Sequence, residues 1–240
     1  MKILSRDYIE HIAERILKVY YQLPEFQGRK VYSIDPEIVI RKVLGLEIEY
    51  AHLSLNGNIL GMTSFNDIDV EVYEQDDQDK FVNLDGNKIL VERDLKNDIS
   101  QLGRYNFTVM HEGSHQAFKM LFPKEYGTVG QTQKILFYTV ESERNPFDRN
   151  WVEWQANTLA SAILLPEDLI KHGMYLLDIG EKIECLNRVF KYDVYEKFTM
   201  LANFLGVSKQ ALAIRMKQLG LIDKEYLKDP YSLIEVVKES

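Results

Sequence analysis

The sequence predicts an α+β protein: a small antiparallel or mixed sheet with a helical core, followed by a helix-turn-helix-like C-terminal segment. Three observations carry this expectation. Apolar residues recur at helical spacing over residues 6–22, 106–122 and 151–165. Between the first and second of these stretches, short apolar runs are separated by turn signals such as Asn56-Gly57 and Asp85-Gly86, as strands of a small sheet would be. Beyond residue 191, two helical stretches flank Gly206-Val207-Ser208. The expected organisation is a main domain over residues 1–190, the paired helices over 191–225 and a tail over 226–240.

In the first helix, Ile9, Ile12, Ala13, Ile16, Leu17 and Tyr20 share a face, and Ser5 is a candidate N-cap. Asp35-Pro36 opens a second, short helix, with Pro at its first position, that ends at Gly45. Residues 46–53, 59–65, 68–73 and 88–92 read as strands, arranged as a meander. The run from Glu74 to Lys80 is acidic and lacks the Gly and closing Glu of a calcium loop, so it reads as a solvated loop. His11 and His52 read as a surface residue and an ordinary strand residue.

The stretch Asn106–Phe122 contains His111-Glu112-Gly113-Ser114-His115, an H-E-x-x-H. On a helix, His111 and His115 lie one turn apart on one face and can bind one metal ion. Glu112, beside the first ligand, is then turned partly off that face and can act on a water at the metal. This is the working core of a zinc-dependent peptidase. Phe107, Met110, Ser114, Phe118 and Leu121 form the expected buried stripe, with the two histidines at its edge. Gly113 is out of place, since a mid-helix Gly costs roughly 1 kcal/mol relative to Ala.

A catalytic zinc takes three protein ligands and keeps one position open. Residues 123–150 carry no clear period and fit either a loop that carries function or a plain long connection. The helix after it, WVEWQANTLASAILL, ends at Pro166 and places Glu153, Asn157, Ala160 and Leu164 on one face. Glu153 is therefore the candidate third ligand and Asn157 the candidate residue that orients a histidine. Glu153 paired with Arg104 or Arg149 is the alternative, and His172, Glu141, Glu143 and Asp148 are the other ligand candidates.

The whole chain fits this picture. It has 240 residues, 45% hydrophobic and 28% charged, with a net charge of −8, which argues against a surface built wholly for nucleic acid. A single cysteine, Cys185, excludes an intrachain disulfide. No signal-peptide core and no transmembrane helix is expected, so a cytoplasmic location is the default.

RYNFTVMHEGSH followed by WVEWQANTLASAILLP resembles the ImmA/IrrE-type metallopeptidases, minimal zincins. Glu153, Ala156, Asn157, Ala160, Leu164, Leu165 and Pro166 match the second block, and Gly61-Met62-Thr63-Ser64-Phe65 is similar to an upstream stretch. The resemblance covers roughly residues 30–170 and a piece near 200–222. It implies a zincin-like metallopeptidase domain, Zn2+ on His111, His115 and Glu153, and Glu112 as catalytic base. It further implies a protein or peptide substrate, such as a cytoplasmic repressor or other regulator. Gly113-Ser114 departs from the family's apolar-then-small pairing. In the C-terminal helices, Lys209, Gln210 and Arg215 are the candidate nucleic-acid contacts. DNA binding is the less favoured reading, because such a pair also closes the catalytic domain in this family.

Overall fold

The computed structural model describes residues 3–73, 80–126, 135–140, 151–184 and 192–224. The acidic run over 74–79, the candidates Glu141, Glu143, Asp148 and Arg149, and the expected tail over 226–240 lie outside the described residues. The chain divides into two compact units, residues 1–164 and 165–240. Both combine helices with short strands, so the fold is mixed α+β. Among the described residues, no helix is long and apolar enough to cross a membrane.

The first unit begins with α1 (Arg6–Tyr21), whose N-terminus is capped by the Ser5 hydroxyl accepting from the Tyr8 amide. Its buried face is the one predicted, Ile9, Ile12, Ala13, Ile16, Leu17 and Tyr20. The short α2 (Pro36–Ile38) is capped by Asp35 and runs into a π-turn over Val39–Val43. Five of the six strands of this unit follow or precede one another in chain order: β1 (Glu47–Ala51), β2 (Ile59–Ser64), β3 (Ile68–Val72), β4 (Lys80–Leu84) and β5 (Lys88–Glu92); β6 (Ile135–Thr139) comes later.

Their arrangement is not the expected meander. The main sheet has the order β1-β5-β2-β6, with β1 parallel to β5 and β2 antiparallel to both β5 and β6. Strand β5 inserts between β1 and β2, so strands adjacent in sequence are not neighbours in space. Strands β3 and β4 leave the sheet as a separate hairpin. Val70, Val72, Val82 and Leu84 of the hairpin pack with Ala51, Leu53, Met62 and Leu90 in one apolar cluster. The other side of β2 is covered by α4 (Leu102–Leu121), which follows α3 (Arg93–Asn97). The Gln116 amide donates to the Thr63 hydroxyl (2.6 Å) and the Ser64 carbonyl (2.7 Å), fixing the helix to the strand.

Helix α4 is buried along its whole middle, from Thr108 to Phe118, rather than along one stripe. The reason is its neighbours: β2 on one side and, on the others, α2 and α5 (Trp151–Leu164). Gly113 is explained by the same crowding. A Cβ at that position would collide with Ile40 Cδ1, which fills the space the missing side chain leaves. Helix α5 packs on both α4 and α1. Its Gln155 carbonyl accepts from the Leu4 backbone amide (2.8 Å), so the start of the chain is tied to α5.

In the second unit, α6 (Glu167–Leu176) packs against α7 (Tyr192–Leu205). Helix α6 starts directly after Pro166, where Glu167 and Asp168 suit a helix N-terminus. Strands β7 (Ile183–Glu184) and β8 (Ile222–Lys224) pair in parallel, and α8 (Lys209–Gln218) lies between α7 and β8 in the chain. The Ser208 hydroxyl caps α8 by accepting from the Ala211 amide (3.1 Å).

At the near end of α4 a polar cluster joins four elements. Tyr105 of α4 donates to Glu37 of α2 (2.6 Å) and its hydroxyl lies 2.8 Å from that of Tyr50 in β1. Lys96 of α3 stands 3.6 Å from Glu37 and 4.0 Å from the Tyr50 ring centre. Burial pushes the Glu37 carboxyl upward, but the Tyr105 hydrogen bond and the Lys96 and Arg41 charges outweigh it and hold the pKa below its usual 4.5. A depressed carboxyl pKa contributes stability above the unfolded value that is lost as pH falls through the folded one. Tyr105→Phe should therefore lower unfolding stability by about 1–2 kcal/mol at pH 7. In urea titrations that difference should narrow as the pH falls below 4.5, where Glu37 gains its proton.

Candidate metal centre

Helices α4 and α5 pack face to face, and the polar side chains of the two predicted motifs meet at their contact. His111 and Glu112 are fully buried, and His115 is 1% exposed. The histidines thus sit inside the helix contact, not at the edge of a stripe. Opposite them, the side chain of Glu153 retains 18% exposure, which gives the site its opening to solvent.

The contacts have a definite electronic character. His111 Nδ1 donates to the Asn157 side-chain carbonyl (2.9 Å), as Asn157 is one turn beyond Glu153 on the same helix face. Burial lowers the His111 pKa, so the ring is neutral and its other nitrogen carries a lone pair. That nitrogen, Nε2, faces Glu153 Oε2 at 3.1 Å and His115 Nε2 at 3.1 Å. His115 Nε2 in turn lies 3.5 Å from Glu153 Oε1. Burial pushes the Glu153 carboxyl upward, but the His115 charge and the His111 hydrogen bond prevail, and its pKa falls below the usual carboxylate value. Three groups that can each offer a lone pair therefore crowd into one buried place.

A cation resolves that conflict. Zinc ligands lie about 2.0–2.2 Å from the ion, so the edges of a tetrahedral site measure about 3.3–3.5 Å. The observed separations of 3.1, 3.1 and 3.5 Å come close to such a set, and two imidazoles with one carboxylate suit a borderline divalent ion. The three residues form one of two groups among the described residues that could hold a metal.

The other group, His52, Glu92 and Asp94, is different in kind. There, His52 Nδ1 lies 2.9 Å from Glu92 Oε1, while Glu92 Oε2 accepts from the Leu53 amide (2.8 Å). Glu92 also caps α3 by accepting from the Asp94 amide. Glu92 is thus satisfied by His52 and backbone amides, and the Asp94 carboxylate stands exposed 4.0 Å from His52.

Aromatic rings hold the imidazoles in place. Tyr138 of β6 lies 4.4 Å from the His111 ring centre, and Phe107 stacks on the same ring at 6.4 Å. Phe65 presents its ring edge-on to His115 at 6.4 Å. His115 Nδ1 has no hydrogen-bond partner among the described residues.

Glu112, next to His111 in the chain, lies against Gly61 of β2. Among the described residues neither of its carboxyl oxygens has a partner within hydrogen-bond geometry. Burial raises its pKa well above the usual value and the Glu153 charge adds to this, against a smaller opposing effect of the Tyr138 backbone amide. A carboxyl so placed binds and releases a proton readily once a nearby cation counters the rise.

All four residues assigned to the site from sequence thus come together: His111, Glu112, His115 and Glu153, with Asn157 behind them. Glu153 makes no ion pair with Arg104, which instead donates to Gln101. His172 sits half-buried on α6 of the second unit. Of the candidate nucleic-acid contacts, Lys209 and Gln210 are exposed, but Arg215 is not. It is 2% exposed and donates to the Leu165 carbonyl (3.0 Å), which makes it a packing residue. Two residues at the site escaped the sequence reading, Tyr138 and Gly61. An isolated Gly inside a strand pattern was the available signal for the second.

No family model matches the chain, and no curated protein matches it.

Removing the Asn157 acceptor should weaken metal binding by about 10–100-fold, because His111 loses the partner that fixes its tautomer. Competition titration of Asn157→Ala against a chelator measures this; Glu153→Ala should bind still more weakly.

Proposed function

We propose that the protein is a zinc-dependent endopeptidase that cleaves a cytoplasmic protein, a transcriptional repressor or other regulator. The observation that carries this reading is the buried convergence of His111, His115 and Glu153, beside a fully buried carboxyl, Glu112, that no side chain among the described residues pairs with. A purely structural metal site has no use for that costly fourth group. The α+β fold with the H-E-x-x-H helix against a small mixed sheet fits a minimal zincin, and the substrate class follows from the ImmA/IrrE resemblance.

Bound zinc would supply Lewis acidity, polarising a peptide carbonyl and making water acidic enough to attack near neutral pH. The chain's residues do the rest. Glu112 takes the proton from the attacking water and returns it to the leaving amine. Asn157 holds His111 in the tautomer that leaves Nε2 free. Burial excludes bulk water and strengthens each electrostatic contact. Strand β6 is an edge of the sheet and carries Tyr138 against His111, so an extended peptide pairing with that edge would pass the metal centre.

A second reading is a DNA-binding regulator that keeps the metallopeptidase fold without its activity. Its support is the α7–α8 pair, which fits a helix-turn-helix with Lys209 and Gln210 exposed at the start of the second helix. Arg215, buried, is not available to it.

The two readings separate on Glu112→Gln. The variant should retain about one zinc per chain while its cleavage of a mixed peptide library, followed by mass spectrometry, falls at least roughly 10²-fold. Undiminished cleavage by the variant, or by metal-free native protein, would sink the peptidase reading.

A further inference from the structure

Strand β2 is irregular at the point where it passes Glu112. Its pairing with β6 steps from Ile59↔Thr139 to Gly61↔Tyr138, two residues on β2 against one on β6, which makes a β-bulge at Leu60. Bulges re-aim the strand and are common beside active sites. The residue just past this one, Gly61, faces α4. A Cβ built on Gly61 would lie 2.8 Å from both Cγ and Oε1 of Glu112 and 2.7 Å from Thr108 Cγ2. Carbon atoms do not approach so closely, so any larger residue at 61 displaces Glu112 or pushes the helix away.

The position is more constrained than packing alone explains. The strand here, ILGMTS, is buried from Leu60 to Ser64, and an interior Gly costs stability relative to a residue with a side chain. Phi at Gly61 is not in the left-handed region, so the backbone does not ask for glycine. What asks for it is the carboxyl, whose Cγ and Oε1 occupy the space that a Cβ at 61 would need.

We infer that Gly61, set by the bulge in β2, is the positioning residue that seats the Glu112 carboxyl in the orientation needed for proton transfer. The floor of the seat is the bare backbone of the strand, and its size admits the glutamate side chain only when residue 61 has no Cβ. This deepens the peptidase reading and rests on it for the role of Glu112, whereas the steric coupling between residues 61 and 112 stands apart from any activity.

A double-mutant cycle on the zinc-loaded full chain tests it. Gly61→Ala should lower the unfolding equilibrium constant's stability ratio by roughly tenfold or more, as overpacking does. In the Glu112→Ala background the same change should cost at least about threefold less, because two of the three close contacts are gone and only that with Thr108 Cγ2 remains. Gly61→Ala should also keep its zinc and lower kcat by roughly 10²-fold while KM stays within about threefold, as misplacing a catalytic group does. If Gly61→Ala alone fails to fold, folding of Gly61→Ala with Glu112→Ala supports the seat, and failure of both overturns it. Equal costs in the two backgrounds, or rescue by Thr108→Ser in place of Glu112→Ala, would overturn it as well. Should Glu112→Gln cleave peptides normally, the catalytic role falls while the coupling is judged on stability by itself.

Discussion

Everything in the first unit is arranged around an electrostatic conflict between α4 and α5. Two imidazole nitrogens and a carboxylate oxygen, each able to offer a lone pair, lie 3.1–3.5 Å apart in a buried contact. Packing alone would separate them. They are held together because the helices that carry them are fixed elsewhere: α4 to β2 through Gln116, α5 to α1 through apolar contact and to the chain start through Gln155. The scaffold is what allows an unfavourable grouping to persist, and a cation is what makes it favourable.

The same constraint explains the two glycines that look wrong for their elements. Gly113 interrupts a helix and Gly61 a strand, yet each faces a neighbour that approaches within the space of a side chain, Ile40 in one case and Glu112 in the other. Helix α4 can therefore sit deep between α2 and the sheet, which is why its whole central stretch is buried and why the histidines are inside the contact. Depth also sets the chemistry, since a carboxyl with no water and no donor has its proton affinity set by whatever charge is nearby.

The metal-site residues were legible because they obey helical spacing on two separate helices. His111 and His115 are four apart, as are Glu153 and Asn157, and these pairs needed no knowledge of the sheet. The sheet itself was less legible. Parallel pairing of β1 with β5 joins residues about 41 positions apart, and no local pattern announces it. Strand β6 lay in a stretch without a clear period, so Tyr138 could not be placed over His111. Arg215 was misjudged for a readable reason. Leu212, Arg215 and Met216 are three and four apart and share the buried face of α8, where charge alone suggested an exposed one.

The separation of His111 from Glu153 along the chain has its own thermodynamic weight. They are 42 positions apart, and the stretch between them contains the whole of β6. Any bond joining the two ends closes that stretch into a ring. For a covalent cross-link of this span the chain-entropy relation gives roughly 4 kcal/mol, drawn from the freedom denied to the unfolded chain. An ion held at this contact would act as a reversible staple as well as a reagent, and its loss would slacken the segment that carries the sheet's outer edge.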